Sequence, residues 1–333
     1  MADSLPLICL DSVQEEEIQW LYHPYIPRGK ISLCAAYPGV GKTYLLCYMA
    51  ACVSTGRQFF DVAPFTVEPE NTIYLTTEDG LGDTIKQRLR VCGADMKRIF
   101  SVQEDRTALT FDNPVIENYI RQVNPALLIF DPFQSYIGEN VELNAANKTR
   151  ERLNHIAFLA EKYNVAVILV CHFNKNAKGD AITRIIGSTD IVGIARSYLA
   201  LGNVPEESGL KFMSHEKSSL APRGKTKLFE INPDEGGIKA LGENDLSMDD
   251  YIRQASENRR RAAPAVEAAK EFLKDQMPGG KRPAKELKNL AKANKISDRT
   301  LDRARKELGI VSKQEGFKGQ YVWIFPESSS DTA

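Results

Sequence analysis

The sequence predicts an α/β fold: a central, mostly parallel sheet covered by helices, followed by a small basic C-terminal module. Three observations carry this. From Lys30 to about Phe229, short apolar runs alternate with helical stretches. Strands of that kind are buried on both faces beneath crossover helices. Beyond Pro264 the pattern changes to three amphipathic helices and a hairpin. Charge divides at the same place: residues 251–326 hold 18 Lys/Arg against 9 Asp/Glu, a balance of +9, and the rest of the chain stands at −10. The net charge of −1 over 333 residues is thus a cancellation. A basic segment of this size either meets a polyanion or presents a solvated basic face.

The predicted strands are Ile31–Ala35, Thr72–Thr76, Ala126–Phe130, Val165–Val170 and Ser197–Leu201, with a further pair near Leu210–Ser214 and Lys227–Ile231. Asn232–Gly237 is a turn-rich exit, and Ser247 with Asp250 three residues on opens a helix in the manner of a capping box. Around Glu257–Ala263 the chain reads as a linker or an exposed helix end. Helices are expected over Val266–Gln276, Pro283–Asn294 and Ser297–Leu308, with Ser297 as N-cap and Gly309 as stop. Lys313–Gln320 looks like a hairpin tip, with Tyr321–Phe325 as the returning strand. Three helices and a hairpin make a winged helix-turn-helix. The expected organisation is therefore an N-terminal segment (1–25), an α/β domain (26–245), a helical linker (246–263), the winged helix (264–327) and a disordered tail (328–333).

A hydrophobic fraction of 43% and a charged fraction of 26% exclude wholesale disorder and coiled coil. The longest apolar run, Val165–Cys171, is far short of the ~18 residues of a membrane span. Met1–Pro6 has no signal-peptide character, and a cytoplasmic protein with no membrane partner is expected. The six cysteines (9, 34, 47, 52, 92 and 171) contain no CxxC pair, which argues for reduced, mostly buried thiols. The four histidines have no metal-ligand spacing.

Ala36-Tyr-Pro-Gly-Val-Gly-Lys-Thr43 follows a strand and opens a helix, which is the P-loop pattern. Pro38, Gly39, Val40, Gly41, Lys42, Thr43 and Tyr44 form the expected cradle. Glycines let backbone N–H groups curl around phosphates, and the helix N-terminus adds its positive dipole end. Lys42 would reach the β/γ-phosphates and the Thr43 hydroxyl would ligate Mg²⁺, so ATP or GTP is the expected ligand. Ala126–Asp131 is an apolar strand ending in a carboxylate, which suits Asp131 to the metal side of the site. Glu78 ends another strand and is the candidate base for polarising water, with Asp79 as rival and helix capping as the alternative use of either. His172, at the end of Val165–Val170, is placed to sense a γ-phosphate, since ligand chemistry in open parallel sheets gathers at the carboxyl ends of strands.

Taken together, these residues resemble the RepA-like branch of the RecA-fold hexameric ATPases, plasmid and phage helicases related to the DnaB group. The resemblance covers roughly residues 20–235 and rests on Ala36–Thr43, the Glu78 strand end, Asp131, His172–Lys175, Gly187–Arg196 and Lys217–Pro222. It implies a RecA-like P-loop core using ATP and Mg²⁺, with the His172 strand between the P-loop strand and the Asp131 strand. It also implies a homo-hexameric ring with nucleotide between subunits. Arg196 matches the arginine finger that reaches a neighbour's nucleotide, and Lys217 matches a second cation of that interface. Arg88 falls where the family often has arginine, though a plain surface role is open. One departure is clear: two residues after Lys217, where the DnaB branch has arginine, stands Ser219.

In such motors, loops facing the pore bind single-stranded DNA. Asn174–Ile186 carries Lys175, Lys178 and Arg184 and either grips phosphates in that way or is a solvated basic loop. In the winged helix, Arg299, Arg303 and Lys306 lie along one face of the third helix, where duplex DNA would be met; such modules also dock proteins, a replisome component among them. The expected function is an ATP-hydrolysing motor acting on DNA in plasmid or phage replication. An ATP-switched DNA-binding or helicase-loader protein without unwinding is the alternative, and a recombination accessory factor a third.

Overall fold

The computed structural model describes residues 7–60, 68–102, 109–138, 146–173, 184–185, 189–314 and 320–326. They form two compact units, residues 1–251 and 252–333. In the first unit the strands and helices are β1 (Trp20–Tyr22), β2 (Ile26–Pro27), β3 (Ile31–Ala36), α1 (Lys42–Thr55), β4 (Asn71–Thr76), α2 (Lys86–Val91), β5 (Ile99–Phe100), α3 (Val115–Val123), β6 (Pro125–Asp131), α4 (Ala146–Tyr163), β7 (Ala166–His172), α5 (Thr189–Ile194), β8 (Ser197–Asn203), β9 (Leu210–Ser218), β10 (Thr226–Asn232) and β11 (Gly237–Asn244). Nine strands make one sheet in the order β11-β10-β9-β8-β3-β7-β6-β4-β5. From β8 to β5 the pairings are parallel; β9, β10 and β11 extend the sheet by antiparallel ladders.

Every residue of β3 and β6 is buried, as continuous apolar runs require when both faces of a sheet are covered. The middle of α1 is buried on nearly every side (Leu45, Leu46, Cys47, Ala50 and Ala51), and with Ile85 and Leu89 it joins one core against Leu127, Ile129 and Ile168 of the sheet. Small residues along α1 let it approach the sheet closely. The β7 strand lies between β3 and β6, the arrangement the resemblance implies. Register brings Ala36 opposite His172 and Thr76 opposite Asp131, so β3 and β7 end together and β4 and β6 end together, two residues apart in register.

Edges are where sequence and structure part. Gly237–Asn244, with two glycines and an alternating exposed face, is a full edge strand that the apolar-run criterion misses. The helix that follows Glu78 opens as a wide turn over Leu81–Ile85 in which the Ile85 N–H reaches the Gly80 carbonyl at 3.0 Å. Ser247 and Asp250 do form the reciprocal cap: the Ser247 N–H donates to Asp250 Oδ2 at 2.9 Å and the Asp250 N–H to Ser247 Oγ at 3.2 Å.

The second unit holds most of α6 (Met248–Gln276), then β12 (Lys281–Pro283), α7 (Ala284–Ala293), α8 (Asp298–Glu307), β13 (Val311–Gln314) and β14 (Tyr321–Ile324). The break expected near Glu257–Ala263 does not occur: α6 runs unbroken through Pro264. Strong helix formers on both sides of the proline sustain it, offsetting the one lost backbone hydrogen bond. A three-stranded antiparallel sheet, β12-β14-β13, covers a core of Val266, Leu273, Leu287, Ala291, Leu301, Ala304 and Trp323. Ser297 caps α8, accepting the Thr300 N–H at 3.1 Å. The hairpin tip expected at Lys313–Gln320 lies mostly outside the described residues, as does the tail 328–333.

Candidate nucleotide site

The loop after β3 turns on two glycines, Gly39 (φ +78°) and Gly41 (φ +105°), conformations that side chains rarely adopt. A Cβ on Gly41 would come within 2.2 Å of Ile231 Cδ1, so the β10 strand walls the loop from one side. Gly41 immediately precedes α1, whose first turn has no side-chain cap and no acidic residue. Its leading amides are therefore open to an anion. Pro38 and Gly39 are exposed and Val40 is buried under the turn. Thr43 and Tyr44 are half-buried, and the Arg88 guanidinium lies 5.3 Å from the Tyr44 ring centroid.

Lys42 is 8% exposed, its Nζ 2.9 Å from His172 Nδ1 and 3.3 Å from the Cys171 carbonyl. Burial pulls its pKa down, and neighbouring groups, Asp131 and Glu78 among them, oppose that. An ammonium only donates, so His172 Nδ1 accepts and the proton of a neutral imidazole sits on Nε2. That nitrogen is 3.3 Å from Glu78 Oε1. Lys42, His172 and Glu78 thus form one hydrogen-bonded line joining three strand ends. Asp131 is 4% exposed and accepts a 2.8 Å bond from Tyr74 Oη. Desolvation pushes its pKa up, against the Tyr74 bond and the Lys42 charge. A buried carboxylate facing a buried ammonium across a loop of open amides fits a phosphate with its cation, since each charge is left incompletely neutralised by the chain alone.

Structure separates the two acids after β4. Asp79 Oδ2 is paired with Arg88 Nη1 at 3.3 Å and its N–H is held by Thr76 Oγ1. Glu78 is half-exposed and turned toward His172. Arg184 donates to Tyr37 Oη at 3.1 Å, beside the phosphate loop; Phe173 pairs with Ile185 there. Lys175 and Lys178 lie outside the described residues.

Arg196 sits at the other end of the sheet. Its N–H donates to the Ile31 carbonyl at 2.8 Å and its carbonyl accepts the Ser219 N–H at 2.9 Å. With Ser32 opposite Ser197 and Ala36 opposite Leu201, the length of β3, about 15 Å at ~3.3 Å per residue, separates it from its own phosphate loop. Its side chain is exposed and has no hydrogen bond or ion pair among the described residues. Lys217 does not present a free cation. Its Nζ donates to the Val192 and Ala195 carbonyls at 2.6 and 2.8 Å, closing the C-terminal end of α5 just before Arg196. The resemblance assigns the lysine type but cannot show that two backbone carbonyls lie within reach of it.

Beside Arg196, Ser197 Oγ donates to the Tyr25 carbonyl and lies 3.0 Å from His215 Nε2, while His215 Nδ1 accepts the Gly224 N–H at 2.9 Å. Sequence reading gave His215 no role; here it ties β8, β9 and the loop before β10 together. Burial lowers its pKa from 6.5 to about 4. The unfolded chain therefore takes up its proton first as pH falls. Stability held by neutral His215 is complete above about pH 6.5 and is lost toward pH 4, about 2 kcal/mol of it by pH 5. Comparing thermal unfolding with His215→Asn should show the gap between the two proteins narrowing by about that much from pH 7 to pH 5. An unchanged gap would count against a neutral buried imidazole.

The other missed contributor is Tyr74, whose hydroxyl orients Asp131. Its one signal in the sequence is a tyrosine at the middle of the predicted strand Thr72–Thr76. Buried thiols line the same region: Cys34 and Cys92 are pushed up to about 12, first by burial. None of the six cysteines is in a disulfide.

A phosphate loop between a buried strand and a helix, with a strand-end acid two strands away, defines a RecA-like P-loop ATPase. The chain belongs to the AAA domain family of the AAA_25 type, which matches residues 4–178, just over half its length. Among solved structures, a KaiC-like protein of the hyperthermophilic archaeon Pyrococcus horikoshii OT3 is similar at 19% identity and a TM-score of 0.48, over 68% of this chain and 100% of that one. No curated protein matches. Among the described residues, no helix is long and apolar enough to cross a membrane.

Proposed function

We propose that the protein is a RepA-like, ring-forming ATPase that moves on DNA, with the C-terminal unit as a winged helix docking on DNA or a replisome protein. The observation that carries the ring is Arg196. Its backbone is fixed at both N–H and C=O, its side chain has no hydrogen bond or ion pair among the described residues, and it lies a full strand length from its own phosphate loop. An arginine held in this way can stabilise transition-state charge only in another subunit's site.

Within one site, Pro38–Tyr44 would hold the phosphates of ATP, and Thr43 and Asp131 would hold Mg²⁺ directly or through its water. The bound Mg²⁺ supplies neutralisation of charge on the phosphate oxygens. Lys42 places a second positive charge there. Glu78 orients and deprotonates water, and the alternative base, Asp79, is occupied by Arg88. His172 links Glu78 to Lys42, so a change at the phosphates alters both its hydrogen bonds, which suits a sensor. Lys175, Lys178 and Arg184 are proposed to face DNA, with Arg184 tied to the phosphate loop through Tyr37 and so able to couple the two.

Lys217 acts within its own subunit in this account, as a positioning residue for Arg196. Lys217→Met should lower kcat about tenfold with KM for ATP unchanged, and Lys217→Arg should recover part of the loss. A raised KM with unchanged kcat would return Lys217 to direct nucleotide contact.

A second reading, an ATP-switched DNA-binding or loader protein that does not unwind, is favoured by the same lysine. With Lys217 engaged in its own subunit and Ser219 in place of an arginine, the interface offers fewer cations than a processive motor of the DnaB kind. Strand displacement with ATP, run beside a mass measurement of the assembly, separates the two. Unwinding by a hexamer supports the motor, whereas DNA-stimulated turnover without displacement supports the switch.

A further inference from the structure

We infer that α7, rather than α8, is the surface by which the second unit grips duplex DNA, through the phosphate contacts of Lys285, Lys288 and Lys292. This rests on the reading that the second unit meets DNA, and relocates the contact within it. At 100° per residue, positions 285, 288 and 292 fall within an arc of about 60° on a helix of ~3.6 residues per turn. All three are exposed. Ala284, Leu287 and Ala291, on an adjoining face, are buried in the core of the unit, so the stripe is held outward by packing. The acid on this helix, Glu286, lies off the stripe and is paired with Arg282 at 2.6 Å. One loose ion pair touches the stripe, Lys292 with Asp298 at 3.7 Å, both well exposed.

By contrast, α8 is nearly neutral. Arg303 is paired with Glu307 at 3.0 Å, Lys306 with Asp302 at 3.0 Å, and Arg305 with Asp302 at 2.9 Å. Arg305 also donates to the Ile310 carbonyl and lies over Trp323. Exposed pairs of this kind are weak, about 0–1 kcal/mol each, so breaking them is no great obstacle. The obstacle is what a polyanion would then face: Asp298, Asp302 and Glu307 on the same short helix.

The stripe also selects its partner. It runs about 10 Å along the axis at ~1.5 Å per residue, enough to follow about three phosphates of one strand at ~3.4 Å each. A membrane-lying helix needs an exposed apolar face, and that of α7 is buried. Stacking on single strands needs aromatic side chains, and α7 has none.

The test is the binding of a short duplex to the full nucleotide-free chain by fluorescence anisotropy across a salt series. Lys285→Gln/Lys288→Gln/Lys292→Gln should weaken binding at least tenfold at low salt. It should also reduce the salt slope by about 2–3, at roughly 0.9 per phosphate contact. Arg303→Gln/Lys306→Gln should change affinity less than about threefold. An unshifted thermal unfolding profile confirms that each variant is folded. If the α8 variant loses binding and the α7 variant keeps it, this inference fails while the DNA role of the unit stands. If neither variant changes duplex affinity, the DNA role of the unit fails with it.

Discussion

Lys42→Ala is expected to reduce ATP turnover by at least about a thousandfold, the scale seen when a preorganised charge at a developing oxyanion is removed. Three features make the loss this large. Lys42 is buried, so its charge acts through a poorly screened medium. Its Nζ also supplies the hydrogen that sets the His172 tautomer, and through it the line to Glu78. And it opens α1, whose uncapped first turn has no other cation. The fold should survive, because a desolvated charge is removed from the interior rather than added to it. Steady-state ATPase with a thermal melt as control checks both halves, and turnover near wild type would remove the phosphate loop from the chemistry.

Arg196→Ala should lower turnover by about 10³-fold or more, in keeping with arginine fingers elsewhere, while leaving nucleotide affinity within a few fold. The split follows from position. Arg196 lies beside Ile31, at the start of the strand that ends in the phosphate loop, so it cannot bind the nucleotide of its own subunit. It should act only when charge builds up on a neighbour's nucleotide. Full turnover by the variant in an assembled ring would refute the assignment, as would an equal loss in ATP affinity.

What could be read from the chain alone, and what could not, follows from the range of the interactions. Strand–turn–helix around Ala36–Thr43 and the apolar run ending at Asp131 are local patterns, and both elements lie where the sequence puts them. Convergence of Ala36, His172, Asp131 and Thr76 depends on strand order, which came from the resemblance and not from periodicity. Side-chain destinations were harder. Lys217 and Arg184 are cations in polar segments, and nothing local says that one closes a helix end and the other folds back on Tyr37. Tyr74 reaches Asp131 from the neighbouring strand, a contact between residues 57 positions apart. In the second unit, the expected DNA face of α8 rested on counting Arg299, Arg303 and Lys306 at helical spacing. The count left out Asp302 and Glu307, which hold two of those cations.

A site shared between subunits takes Lys42 from one and Arg196 from the next. Mixing inactive Lys42→Ala and Arg196→Ala proteins tests it most directly. In a randomly mixed ring of head-to-tail interfaces, about a quarter of the sites combine an intact phosphate loop with an intact finger. The expected result is turnover well above either protein alone, rising to about that fraction of wild type at equal amounts. A mixture that stays at the level of its inactive parts, with exchange of subunits shown by mass, would contradict it.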